Sequence, residues 1–116
     1  MLFKDYEEFV TKLKGLGFST AYYQFRVDEN PKLPYLVHFI TNNNDLAADN
    51  INYKSTYDIQ VELYQRDRNF SSQKKLEDLL KEFKIFYRHT ETYIAETDMF
   101  LLIYQFNLKF KEENNE

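Results

Sequence analysis

Two long stretches of strict alternation constrain this chain more than any other feature. From Tyr53 the odd positions are Tyr53, Ser55, Tyr57, Ile59, Val61 and Leu63, while Lys54, Thr56, Asp58, Gln60 and Glu62 fill the even ones. Near the C-terminus, Phe100, Leu102, Tyr104, Phe106, Leu108 and Phe110 repeat the pattern. A period of two over such a length requires strands with one buried face and one wet face.

Composition narrows the classes. The 116 residues suffice for one domain whose core needs neither disulfide nor metal. Ten tyrosines and eleven phenylalanines carry much of the apolar content. A tyrosine packs a ring but keeps a hydroxyl that needs water or a partner, so half-buried sheet faces are expected. Cysteine is absent, which removes thiol chemistry, Cys-ligated zinc and disulfides. No run approaches the roughly 20 apolar residues of a membrane span. The opening MLFKDYEEFV lacks the basic-then-apolar order of a signal peptide, so an intracellular protein is expected. A formal charge of −4 disfavours a broad phosphate-binding surface. Only Gly15 and Gly17 are glycines, too few and misplaced for a phosphate-cradling loop.

The order of elements follows from spacing. Phe3, Tyr6, Phe9 or Val10, Leu13 and Leu16 recur at three and four, an amphipathic helix of about four turns ended by the 15–17 glycines. A strand over 20–27 follows, with Ala21, Tyr23, Phe25 and Val27 on one side. Residues 28–34 (DENPKLP) form a turn, and 35–41 (YLVHFIT) a central strand covered on both faces. The Asn-rich segment 42–50 is a loop before the long strand at 51–64. Ser71 or Ser72 caps a second helix running to about Phe83, with Leu76, Leu79 and Leu80 as its stripe. Strands over 85–96 and 99–109 meet in a hairpin at Thr97 and Asp98, and KEENNE at 111–116 is a solvated tail. The expectation is an α+β single domain over 1–110, ordered α-β-β-β-α-β-β, with a mixed or antiparallel sheet and its helices on one side.

Chemistry-bearing residues are scattered. His38 sits mid-strand between apolar neighbours and reads as structural, and His89 lies beside Arg88, whose charge discourages a bound cation. Neither has ligands at metal-binding spacing. Asp5, Glu7 and Glu8 suit a first helical turn. Glu77, Asp78 and Glu82 alternate with Lys74, Lys75 and Lys81 as a solvated helix face. Nothing selects a catalytic carboxylate pair. Asp45, Asp49 and Asn50 lack the glycine and spacing of a calcium loop. Arg66, Arg68, Lys74 and Lys75 read as a solvated helix start. No catalytic, cofactor or metal residue is therefore assigned.

The order of several short motifs resembles the tail completion (tail terminator, head–tail joining or minor capsid) proteins of long-tailed bacteriophages. The motifs are Pro34-Tyr35, Ala48-Asp49-Asn50, Y-x-I-x-V-E-L-Y over 57–64, E-x-Y-I over 91–94, E-x-x-M over 96–99 and I-Y-x-F over 103–106. They span about 33–106. The resemblance implies an α/β-type fold, a homo-oligomeric ring of typically six subunits, a location in the virion where tail meets head, and host cytoplasm during assembly. The implied partners are further copies, the tail-tube protein and the head connector, with DNA passing through the lumen and no cofactor, membrane or specific nucleic-acid binding. It implies no enzyme activity.

A ring needs a head-to-tail interface, for which exposed aromatic sheet positions and strand edges are natural material. The candidate interface comprises Tyr53, Tyr57, Tyr64, Tyr93 and Tyr104, with Asp45, Asp49 and Asn50 on a contact arm at 42–50. The competing readings are a dimeric adaptor that pairs through a strand edge and a small enzyme built around His38 and separated carboxylates.

Overall fold

The two alternating segments pair with each other at the centre of the sheet. In the computed structural model, which describes residues 3–43 and 56–110, strand β3 (Thr56–Gln65) runs antiparallel to β5 (Met99–Lys109). Ile59 opposes Phe106, Val61 opposes Tyr104 and Leu63 opposes Leu102. Because opposed residues share a face, both apolar rows fall on one side. The remaining elements are α1 (Tyr6–Lys14), β1 (Ser19–Tyr22), β2 (Tyr35–Asn43), α2 (Phe70–Glu82) and β4 (Tyr87–Ile94). Strand order is β1-β2-β3-β5-β4, with β1 parallel to β2 and every other pair antiparallel. The fold is the expected α+β arrangement in the expected order, with a five-stranded mixed sheet.

Both helices cover the same face. Phe9 and Leu13 of α1 and Leu76, Leu79 and Leu80 of α2 meet Leu36, Ile59, Val61, Leu63, Leu102 and Phe106 in one core. Strand β2 is apolar at nearly every position because both its faces are occupied. Leu36 and His38 point to the helices, and Val37, nearly fully buried, lies on the other side near Phe25 and Tyr35.

Several boundaries depart from the sequence reading, each for a local reason. Helix α1 is shorter than four turns, because Asp5 caps it by accepting the Glu8 N–H at 3.0 Å. Phe3 stands outside the helix, bridged to Phe110. The left-handed residue is Gly17, at φ +96°, while Gly15 remains right-handed. Strand β1 stops at Tyr22 because Tyr23 turns to φ +72°, which ends the extended run and leaves Val27 fully exposed. The cap of α2 is Asn69, whose side chain accepts from the N–H groups of Ser71 and Ser72, so neither serine caps the helix. Buried Gln65 holds Asn69 in place, donating to its carbonyl at 2.7 Å and accepting its N–H at 3.3 Å. Strand β4 starts at Tyr87, two residues later than the alternation suggested, since Ile85 turns into the core and Phe86 outward. The β4–β5 connection takes residues 95–98, with Asp98 at φ +55°, and is wider than a two-residue turn.

Leu102 lies at the middle of this core with no exposed surface. Leu102→Ala should lower the unfolding free energy by about 3 kcal/mol. Thr90→Ala, on exposed β4, should stay within about 0.5 kcal/mol. Urea denaturation of both variants checks this, and equal effects would contradict the one-sided core.

Candidate functional site

Three arrangements in the fold carry chemistry, and two of them are structural. Under α1, the Tyr6 hydroxyl lies 2.6 Å from His38 Nδ1, and Tyr22, Tyr57 and Phe110 surround the Tyr6 ring. Burial, followed by the nearby Lys14 charge, pushes the imidazole down to about 4. Burial, followed by Tyr22, pushes the Tyr6 phenol well above its ordinary range. A protonated phenol facing a neutral imidazole is a satisfied core pair with no free base.

The second arrangement lies between α2 and the β4–β5 pair. Tyr104 donates to Glu77 at 2.8 Å and Gln73 donates to the same oxygen at 2.8 Å, while His89 stacks on Tyr104 with centroids 5.1 Å apart. Burial would raise the Glu77 carboxyl, but the hydrogen bonds from Gln73 and Tyr104, then His89 and Tyr87, hold it below its usual range. Glu77 is thus half-buried and partnered, which corrects its assignment to a solvated helix face. Arg68 is likewise committed, with Nε and Nη2 donating to the two Glu91 oxygens at 3.0 and 3.1 Å and Nη2 also reaching Gln73 at 2.6 Å. Among the described residues no group of three His, Cys, Asp or Glu side chains converges as metal ligands, and no helix is long and apolar enough to cross a membrane.

The third arrangement is the sheet face that neither helix covers. Along its middle runs a polar ladder. Asn107 donates to Asp58 at 3.0 Å, Gln105 to Gln60 at 3.2 Å, and Gln60 and Tyr64 to the two oxygens of Glu62 at 2.6 and 2.8 Å. Burial, together with the Glu62 bond and charge, keeps the Tyr64 phenol protonated far above its usual range. At the β1–β2 corner the ladder gives way to rings. Tyr35 stacks on Tyr64 with centroids 5.0 Å apart, Phe25 meets Tyr35 edge-on at 5.0 Å, and Tyr23 lies 5.2 Å from Phe39. Tyr23, Phe25, Tyr35 and Tyr64 line a shallow hollow of about 320 Å³. At the far corner Phe86 is 95% exposed. This face can bind by contact, with fixed aromatic surface and a hydrogen-bonding strip.

The candidate interface residues scatter across these arrangements. Asp45, Asp49, Asn50 and Tyr53 lie outside the described residues. Tyr64 stands on the helix-free face and Tyr93 is half exposed on β4, bonded to Asp98. Tyr57 is half-buried against Phe110 and Tyr6. Tyr104 has no exposed surface and belongs to the protomer's core, which leaves it no area to offer a neighbour. The sequence reading missed Tyr23, Tyr35, Phe39 and Phe86 as surface aromatics. Phe86 had a signal, since Ile85-Phe86-Tyr87 is apolar at three successive positions and one of them must face outward. Tyr23 had none, because nothing local announces a left-handed tyrosine.

The His38 shift has a measurable consequence. The folded protein keeps the imidazole neutral where the unfolded chain, titrating near 6.5, takes up a proton. Stability from this site is complete above about pH 6.5 and falls as pH drops toward 4, by about 2 kcal/mol at pH 5. His38→Gln keeps an acceptor for Tyr6 but has no proton to gain, so its thermal melts should flatten between about pH 6.5 and 5. An unchanged slope would contradict the assignment.

No family model and no curated protein sequence matches the chain. Among solved structures it is similar to a chain of the virion of a native gene transfer agent particle. That match has a TM-score of 0.52 at 13% sequence identity, covering 84% of this chain and 82% of the other. At this identity the likeness is one of fold, shared across most of both chains.

Proposed function

We propose that this chain is a structural protein of a phage-like virion that acts by self-association rather than by catalysis. Its proposed place is the head–tail junction, where a ring of copies caps the tail tube and offers a docking surface to the head connector. The observation that carries the reading is the fold shared with a chain of a gene transfer agent virion over 84% of this chain and 82% of that one. The order of motifs over 33–106 supports the finer assignment to tail completion proteins. The geometry is compatible with both. The titratable clusters are satisfied core pairs, and the helix-free face is aromatic at its corner and fixed by hydrogen bonds. A net charge of −4 suits a lumen that a polyanion slides past, since like charge weakens adhesion.

A second reading rests on β4, an edge strand exposed at nearly every position. Such an edge can pair with another chain through its backbone, and would make the protein a dimeric adaptor.

Light scattering over a concentration series, with negative-stain imaging of the largest species and of mixtures with assembled tail tubes, separates the two. The virion reading expects rings with a central hole, formed free or on tube ends. A tight dimer at every concentration, or a monomer that ignores tube ends, would overturn it.

A further inference from the structure

The protein carries an exposed aromatic side chain at one corner of its sheet and an aromatic hollow at the diagonally opposite corner. Phe86 immediately precedes β4, one edge of the sheet, at the end where Tyr87 opposes Phe106. It stands between two shallow grooves, one lined by Asp58, Gln105 and Asn107 and the other by Lys84, Leu108 and Lys109. The hollow lies toward the other edge, lined by Tyr23, Phe25, Pro31, Tyr35, Val37 and Tyr64. It sits at the opposite end of the strands, where Tyr35 opposes Tyr64. Its volume of about 320 Å³ leaves ample room for one aromatic side chain.

Charge matches shape at the two corners. Lys84, Arg88 and Lys109 surround Phe86 and are all exposed. None of the three forms an ion pair among the described residues. The hollow is bordered by Glu29, which lines it, and by Glu62, which is hydrogen-bonded to the Tyr64 wall. An aromatic knob in a basic collar thus meets an aromatic socket with an acidic rim.

We infer that Phe86 of one copy seats in the Tyr23–Phe25–Tyr35–Tyr64 socket of the next, with Lys84 and Arg88 facing Glu29 and Glu62. The inference rests on the self-association proposed above and names its contact. Knob and socket are different patches, so each copy's free socket and free Phe86 remain available to further copies. Such a heterologous contact propagates and closes into a ring when the rotation per copy permits. The polar ladder between the corners, from Asp58–Asn107 to Glu62, disfavours two faces closing on each other, since those groups would lose water without gaining partners. Complementary charge orients the approach, and the buried ring holds it.

The absence of native cysteine makes disulfide trapping clean. Lys84→Cys beside the knob and Gln24→Cys at the socket, combined in one chain, should give a ladder of cross-linked oligomers on mild oxidation. Either single variant should give none. Adding Phe86→Ser should abolish the ladder without changing the melting curve, because Phe86 is almost fully exposed and stands outside the core formed by the described residues. Phe86→Ala alone should raise the dissociation constant for assembly by about tenfold or more, and Phe86→Tyr should retain most of the affinity. A ladder that survives Phe86→Ser, or dimers from Lys84→Cys alone, would overturn the contact. Rings that form normally in Phe86→Ala and yield no ladder would overturn it while leaving the ring reading intact. No association, in solution or on tube ends, would remove both.

Discussion

The pairing of β3 with β5 governs the rest of the molecule. It is antiparallel and unbroken from Thr56 opposite Lys109 to Gln65 opposite Phe100. A slip of β3 by one residue would send Ile59, Val61 and Leu63 to the wet side while Leu102, Tyr104 and Phe106 of β5 stayed under the helices, so the register is enforced by the whole apolar row. That row has to be covered, and α1 and α2 cover it with Phe9, Leu13, Leu76 and Leu80. Once both helices are committed to one face, neither is left to cover the other, where among the described residues the 23–31 segment shields Val37 at the β1–β2 corner. The asymmetry of the protein follows from this, with a closed side that holds it together and an open side that can meet neighbours.

The polar side chains obey the same division. On the closed side, each titratable group inside the core has a partner that fixes its protonation. His38 is neutral beside Tyr6, and Glu77 is ionised beneath Tyr104 and Gln73. Such pairs specify packing, and they hold His38 and Glu77 away from acid–base exchange near neutral pH. On the open side, polar groups bond laterally across β3 and β5 and hold Tyr64 in a defined position for contact. A surface of this type carries binding energy in its rings and orientation in its charges, which suits assembly better than turnover.

The parts of the fold legible in the sequence were those written as periodicity. The alternation over β3 and β5, the three-and-four spacing of α2 and the two-sided apolarity of β2 each encode burial directly. What escaped was set by tertiary contact. Tyr23 ends β1 by adopting a left-handed conformation that glycine would have announced and tyrosine does not. The cap of α2 is Asn69 because Gln65, four residues earlier at the end of β3, grips it through two hydrogen bonds that no capping pattern announces. Tyr104 lies in the apolar row that the β5 alternation marks as buried, and what no local pattern shows is that Glu77 of α2 satisfies its hydroxyl there. The aromatic corner was illegible for the same reason, since Phe25, Tyr35 and Tyr64 come from three separate segments joined only by the fold.

The central claim is that neighbours meet the protein on its helix-free side. Hydrogen–deuterium exchange, comparing dispersed with assembled protein, tests this most directly because it reads backbone protection along the whole chain. The account predicts new protection over β1, the 23–31 segment and residues 84–88, with α1 and α2 unchanged. New protection confined to the outer surfaces of α1 and α2, with the open face exchanging as before, would contradict it.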